Sequence, residues 1–190
     1  MTSGAEPVPP GFASRTHRGF DDRAWHGVDG SVGKLFQTAT GSRGMVDDTV
    51  SLRPAGDALP YVERLLAASG LPTRDVPAKP DCFYVGHANG ERVGVGGLEV
   101  HGTDGLVRSI VVEAFVRGNG YGRRLCDALE DEARSHGVET VYLLTTTAAD
   151  FFDGRGYERV DRSEAPASIR RTAEFDELCS GSATCLRKSL

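Results

Sequence analysis

Apolar and polar residues alternate along this chain with periods that divide it into short, distinct segments. "TVSLRP" at 49–54 alternates as a strand does. Residues 57–68 place Leu59, Val62, Leu65 and Leu66 on one helical stripe, with Gly70 as the stop. In "CFYVGHANGERVGVGGLEV" two strand-like runs flank Asn89-Gly90, a pair favoured in tight hairpins because both turn positions need positive φ. "GLVRSIVVEAFV" predicts the next strand, joined through "HGTDG". A helix over 122–136 carries Leu125, Leu129 and Ala133 on one face and ends at Gly137. "VETVYLLTTT" (138–147) begins almost continuously apolar, as a central strand buried on both faces requires. A short helix in "AADFFDGRG", a strand in "YERVDR", a helix in "APASIRRTAEFDEL" and a strand in "SATCLRK" complete the series. The order β-α-β-β-β-α-β-α-β-α-β is an α/β (α+β) arrangement in which an antiparallel meander leads into a β-α-β unit.

Residues 1–44 follow neither period and are rich in Gly, Ser, Pro and Thr. They predict a disordered or dispensable N-terminal extension ahead of a domain over 45–190, with Met45 as a candidate biological start. Composition adds exclusions. A chain of 190 residues, 39% hydrophobic and 26% charged, suits a single globular domain. A net charge of -5 argues against a nucleic-acid partner, because no dominant positive field is present. No apolar run reaches membrane-spanning length and the N-terminus lacks the pattern of a secretory signal, so the expected compartment is the cytoplasm, with no membrane partner. Cys82, Cys126, Cys179 and Cys185 show no C-x-x-C spacing and are expected reduced. His87, His101 and His136 lack metal-ligand spacing, so no metal is expected, and His136 reads as a charge partner for a helix C-terminus.

Chemistry concentrates in "VRGNGYGR" (116–123), where Gly118, Gly120 and Gly122 precede the amphipathic helix. No lysine lies near enough for a G-x-x-x-x-G-K-[ST] loop, and Arg123 stands where a dinucleotide fingerprint needs its last glycine. What remains is R-x-x-G-x-G from Arg117, Gly120 and Gly122 at a strand-to-helix junction. The unpaired N–H groups opening a helix favour an anion such as a pyrophosphate, glycines let the backbone approach it, and Arg117 and Arg123 add charge-assisted bonds. Together with "FFDGRGY", this junction resembles the GNAT acyltransferase superfamily over roughly residues 47–188. The phrases "GGLEV", "LVRSIVV", "YLLTTTAADFFDGRGYERVDR" and "APASIRRTAEFDELC" look like the N-acetyltransferase family associated with arsenic resistance.

That resemblance implies a mixed, mostly antiparallel central sheet flanked by helices, and acetyl-CoA as cosubstrate. The implied activity is acetyl transfer to the amine of a small molecule, with an amino-acid-like arsenical or a phosphinate toxin as the candidate acceptor; a homodimer is left open. The strand carrying "SIVV" should splay from that carrying "YLLTT", so that the pantetheine arm enters the gap. The implied cofactor-binding residues are Ile110, Val111, Val112, Arg117, Gly118, Asn119, Gly120, Tyr121, Gly122, Arg123, Thr145 and Phe152. An N–H near Val112 would polarise the thioester carbonyl. Glu99 is the candidate base, its carboxyl raised by partial burial, or else a partner for Arg108; Glu113 is a weaker choice. Arg108 and Ser109 face the acceptor and bind an anionic group, or Arg108 is an edge-strand charge. Phe152 stands where many relatives have a proton-donating Tyr, followed by Gly156 and Tyr157. The leaving thiolate would then rely on water, Tyr121 or direct release, while Phe152 packs on pantetheine or in the core. Thr145, Thr146 and Thr147 bind CoA or cap the next helix, the cap falling to Thr147. Cys179 and Cys185 are either an arsenical-binding pair or ordinary packing residues. Two competing readings stay open: a non-catalytic acetyl-CoA sensor, and a transferase acting on protein N-termini or lysines.

Overall fold

The computed structural model describes residues 49–179 and 181–190. The readings of residues 1–44 as an extension and of Met45 as a start lie outside the described residues. Seven strands form one sheet: β1 (Ser51–Pro54), β2 (Phe83–Ala88), β3 (Glu91–His101), β4 (Asp104–Val112), β5 (Thr140–Thr145), β6 (Glu158–Val160) and β7 (Thr184–Ser189). Their spatial order is β1-β2-β3-β4-β5-β7-β6, and every neighbouring pair is antiparallel except β4 with β5. The hairpin at Asn89-Gly90 takes φ of 52° and 82°, the positive values its sequence predicts.

The helices are α1 (Leu59–Ala68), α2 (Tyr121–Ser135), α3 (Ala149–Asp153) and α4 (Ala167–Arg170). Among the described residues none is long and apolar enough to cross a membrane. α2 lays Leu125, Leu129 and Ala133 against Leu98, Val107, Val141 and Leu143 on one sheet face, with Phe152 of α3 in the same cluster. α1 covers the opposite face over Phe83, Val85, Val95 and Val111, and Ile169 of α4 joins Leu106 and Tyr142 beside it. Val141 and Tyr142 thus bury side chains on opposite faces of β5, as the apolar run requires.

One expected element is different. The helix predicted across "APASIRRTAEFDEL" breaks after Arg170 and resumes as a single wide turn at Glu174–Leu178. Thr172 lies in the break: its hydroxyl donates to the Ile169 carbonyl oxygen at 2.7 Å and stands 3.4 Å from the Phe175 amide. Such local side-chain bonds compete with the helical ladder. The break turns Glu174 toward the inside of the protein, where it is buried.

Candidate active site

β4 and β5 are paired only from Asp104–Leu106 to Thr140–Tyr142. Beyond that the strands part, and the β4 backbone edge facing β5 has no strand partner. The separation follows an irregularity in β4. Ser109 takes φ of 55°, and the register with β3 slips between Val95 and Gly97. An extra residue in one strand sharpens its twist and reverses the faces that follow. Before the bulge Val107 packs on the α2 face; after it Ile110 and Val112 do so, while Val111 turns to the α1 side. A serine at positive φ costs on the order of 1 kcal/mol, a strain met most often at functional sites. Opposite, Gly96 is required by close approach: a Cβ there would stand 2.5 Å from Leu129 Cδ1.

The gap is a cleft of about 320 Å³. Ser109, Ile110 and Val112 line one side, and Leu143 to Ala148 with Phe151 and Phe152 line the other. A mostly apolar trough with few polar groups suits a long, thin ligand arm. Gly122 of α2 closes one end, and Arg108, Glu174 and Cys179 belong to the same lining.

At the Gly122 end the chain enters α2 through Gly118 and Gly120, with φ of 83° and 80°. The amides of Tyr121 and Gly122 open the helix, where no carbonyl of a preceding turn can receive them. Among the described residues, the only heavy atoms within 4 Å of a Cβ built on Gly120 belong to Arg124, the nearest at 3.8 Å, so the approach is open. Arg117 Nε donates to the Val112 carbonyl oxygen at 3.0 Å, tying the loop to the end of β4. Arg124 Nη1 donates to the Asn119 carbonyl oxygen at 2.9 Å and its guanidinium lies 5.3 Å from the centre of the Tyr121 ring. Neither Arg117 nor Arg123 forms an ion pair among the described residues, leaving their charges for an anion at the helix start. The residues present fit a diphosphate.

On the α1 side of β4, Arg108 anchors a buried ionic network. Its side chain is 1% exposed and is contacted by Asp75, Glu99 and Glu174. Nη1 donates to Asp75 Oδ2 and, at 3.0 Å, to Glu99 Oε1; Nη2 reaches Asp75 Oδ1 at 3.1 Å and Glu174 Oε2 at 2.9 Å. Nε donates to Ser109 Oγ at 3.3 Å. Burial alone would lower the Arg108 pKa, but its bonds to these carboxylates outweigh burial and raise it. Hydrogen bonds engage Nε, both Nη1 N–H groups and one Nη2 N–H, while the remaining Nη2 N–H meets Glu174 Oε2 only as an ion-pair contact. Arg108 lines the cleft, but its guanidinium is held by internal carboxylates, a different setting from the solvent-facing clamp its sequence reading expects.

Glu99 is also held on both oxygens, by Arg108 and by Lys79 Nζ at 2.6 Å, and it does not line the cleft. Its alternative reading as a partner of Arg108 describes the geometry. Glu113 accepts the Tyr61 hydroxyl at 2.9 Å, away from the cleft lining. Val111 sends its side chain into the α1 cluster, so only its backbone is available near the cleft. The hydroxyl closing the turn into α3 is that of Thr145, not Thr147: Thr145 Oγ1 accepts the Ala148 amide at 3.0 Å. Ala148 holds the position immediately before α3, so Thr147 lies one residue too early to cap the helix, whose start has no side-chain cap. Phe152 packs in the core, edge-on against Tyr157 with ring centres 5.3 Å apart, and also lines the cleft. Tyr157 cannot replace the missing phenol, because its hydroxyl donates to buried Glu130 at 3.1 Å.

Cys179 lines the cleft and its thiol donates to Glu174 Oε1 at 3.2 Å, while Cys185 packs among Ile169 and Phe175. Burial, reinforced by Glu174, pushes the Cys179 thiol up to about 12. Burial pushes Cys185 up to about 11. Near neutral pH both remain thiols, not the thiolates that ligate metals. No metal-binding cluster of His, Cys, Asp or Glu occurs among the described residues. The sequence reading missed Leu71, Pro72, Phe151 and Glu174 in the lining. The exposed apolar pair Leu71 and Phe151 carries a weak signal in its excess of hydrophobicity at element ends; Glu174 carries none.

A strand pair splayed by a bulge thus leads to a glycine-rich helix start, the arrangement the sequence resemblance implied for the fold. The sequence profile of the acetyltransferase (GNAT) family matches residues 57–157, and the chain belongs to that family. It is 39% identical over 71 residues to an IAA acetyltransferase of Azospirillum brasilense, and 31% over 91 residues to an amino-acid acetyltransferase of Mycobacterium tuberculosis. These alignments cover 36% and 47% of this chain, and 46% and 49% of the relatives, so the chain spans about half their length. Among solved structures, N-acetylglutamate synthase from Neisseria gonorrhoeae with coenzyme A and L-arginine superposes with a TM-score of 0.63 at 23% identity, covering 76% of this chain and 34% of that one. Rv2747 of M. tuberculosis, in complex with CoA, gives 0.62 at 21% identity, covering 74% and 99%. The fold is therefore that of GNAT acetyltransferases.

Proposed function

We propose that the protein is an acetyl-CoA-dependent N-acetyltransferase acting on the primary amine of a small molecule. The observation that carries this reading is the continuity of the cleft: the unpaired β4 edge beyond Leu106 runs to the open helix start at Gly120–Gly122. Acetyl-CoA supplies an activated thioester acyl group. The α2 amides, Arg117 and Arg123 hold its phosphates, and Ile110, Val112 and Phe152 pack along its arm. The unpaired β4 edge beside the Ser109 bulge would offer a backbone N–H to the thioester carbonyl as it develops negative charge, typically the largest catalytic contribution. With Phe152 in the usual acid position, the departing thiolate takes its proton from water.

More narrowly, likeness to the arsenic-resistance family supports an amino-acid-like arsenical or phosphinate acceptor. The curated relative named for amino-acid acetylation supports the same acceptor class. Isothermal calorimetry of the full chain with CoA, followed by thiol-release assays across amino acids and amino-acid-like arsenicals, tests both levels. CoA binding with turnover of an amine is expected; no heat of association would remove the reading. Phe152 also favours a second reading, a non-catalytic acetyl-CoA sensor, which CoA binding without turnover of any amine would support.

A further inference from the structure

The network around Arg108 holds more carboxylates than ion-paired cations among the described residues. Three carboxylates, half-buried Asp75 and buried Glu99 and Glu174, surround Arg108, and among the described residues the other cation ion-paired with them is Lys79. His101 Nε2 stands 3.7 Å from Glu99 Oε2 and contributes charge only when protonated. Arg162 lies near Cys179 but directs Nη2 to the Phe175 carbonyl oxygen at 2.7 Å and rests its guanidinium on the Phe175 ring. Among the described residues the three carboxylates are ion-paired with two cations, Arg108 and Lys79, and the Arg162 guanidinium adds positive charge beside Cys179 without an ion pair to Glu174 in that set. Burying an uncompensated carboxylate costs several kcal/mol, so a fold that keeps one has a use for it or supplies a cation from outside.

Of the three, Glu174 alone lines the cleft. It is also the least satisfied. Its Oε2 touches Arg108 Nη2 at 2.9 Å but receives no hydrogen bond, and Oε1 accepts only the weak thiol donor of Cys179. Asp75 and Glu99 each accept hydrogen bonds on both oxygens. Ser109, whose strained backbone marks the bulge, adjoins Arg108 and lines the same cleft. An ammonium group at this end would meet the free valence of Glu174 and add positive charge beside it.

We propose that Glu174 is the carboxylate that receives the acceptor's ammonium group and removes its proton, an inference that rests on the acyl-transfer function above. The ammonium gives one proton to Glu174 and becomes a nucleophilic amine. Its nitrogen bonds to the thioester carbonyl carbon, the carbon–sulfur bond breaks, and CoA leaves as thiolate. The second proton lost from nitrogen passes to water and neutralises that thiolate, while Glu174 returns its own proton to solvent. Asp75 and Glu99 act through Arg108, holding its guanidinium where it orients Glu174; they are positioning residues.

The test compares full-length wild type with Glu174→Gln in three measurements: CoA calorimetry, thermal melting, and thiol release with the twenty amino acids and their amides. Expected for Glu174→Gln are wild-type CoA affinity, a melting temperature at or above wild type because a buried charge is gone, and a loss of kcat of about 100-fold or more. Wild-type turnover by Glu174→Gln overturns the proposal while leaving the acetyltransferase reading intact. Failure of wild type to bind CoA, or to acetylate any of the panel, overturns both. If Glu174→Gln does not fold, Glu174→Asp decides: it keeps the charge for Arg108 but withdraws the carboxylate by one methylene. Folded Glu174→Asp with at least about a tenfold loss of kcat supports the proposal, and unchanged kcat refutes it.

Discussion

Two glycines at opposite ends of α2 allow the phosphate seat to be separated from backbone strain. Gly120, at the helix start, has φ of 80°, and Gly137, just past the helix end, has φ of 77°. Among the described residues, a Cβ at Gly137 would meet nothing within 4 Å, and one at Gly120 only the Arg124 guanidinium at 3.8 Å or more. Gly120→Ala and Gly137→Ala therefore carry the same penalty, left-handed backbone on a residue with a Cβ, of about 1–2 kcal/mol each. In a domain of this size each should lower the melting temperature by about 2–8 °C. Their effects on coenzyme A should diverge. The Gly120 methyl would stand where a diphosphate meets the first helical amides, and the Gly137 methyl would stand at the far end of the helix. We expect Gly120→Ala to weaken CoA by at least about tenfold, or roughly 1.4 kcal/mol, and Gly137→Ala to leave it unchanged. Calorimetry reads this directly. Thermal shift reads it independently, since CoA at about 100 times its Kd should stabilise wild type and Gly137→Ala by about 2.7 kcal/mol, and Gly120→Ala by less. Equal CoA affinity in the two variants would refute the placement of the phosphates at the start of α2.

Arg108→Met should cost about 3–5 kcal/mol in urea unfolding, because it leaves Asp75, Glu99 and Glu174 without their shared cation; a loss below about 1 kcal/mol would mean that water enters the network. Stability should also fall as pH rises above about 9. Burial raises the folded-state pKa of Cys126 and Cys179 to about 12 and of Cys185 to about 11. Between the unfolded and folded values the unfolded chain releases protons that the native state retains, so this contribution is complete below pH ~9 and lost toward the folded values. Urea midpoints at pH 8 and pH 10 check the sign, and slow reaction of the native thiols with a disulfide reagent at pH 8 should accompany it.

Secondary structure and the glycine-rich start of α2 were legible in the sequence because their causes are local. Periods of two and of 3.6 mark the strands and helices. Asn89-Gly90 encodes its turn, and Arg117, Gly120 and Gly122 encode an anion seat in the chemistry of a helix start. The break at Thr172 was less legible, since a threonine hydroxyl competes with the helical ladder only where its surroundings let it. The ionic network lay beyond reach. Asp75, Glu99, Arg108 and Glu174 come from four separate segments, and their meeting depends on sheet register and on a one-residue bulge that changes which face β4 presents. The chain's own pattern therefore determined the elements and the open, glycine-rich start of α2. Tertiary packing alone decided which charges are spent inside the protein and which carboxylate meets the cleft, because burial and pairing are properties of neighbours distant in sequence.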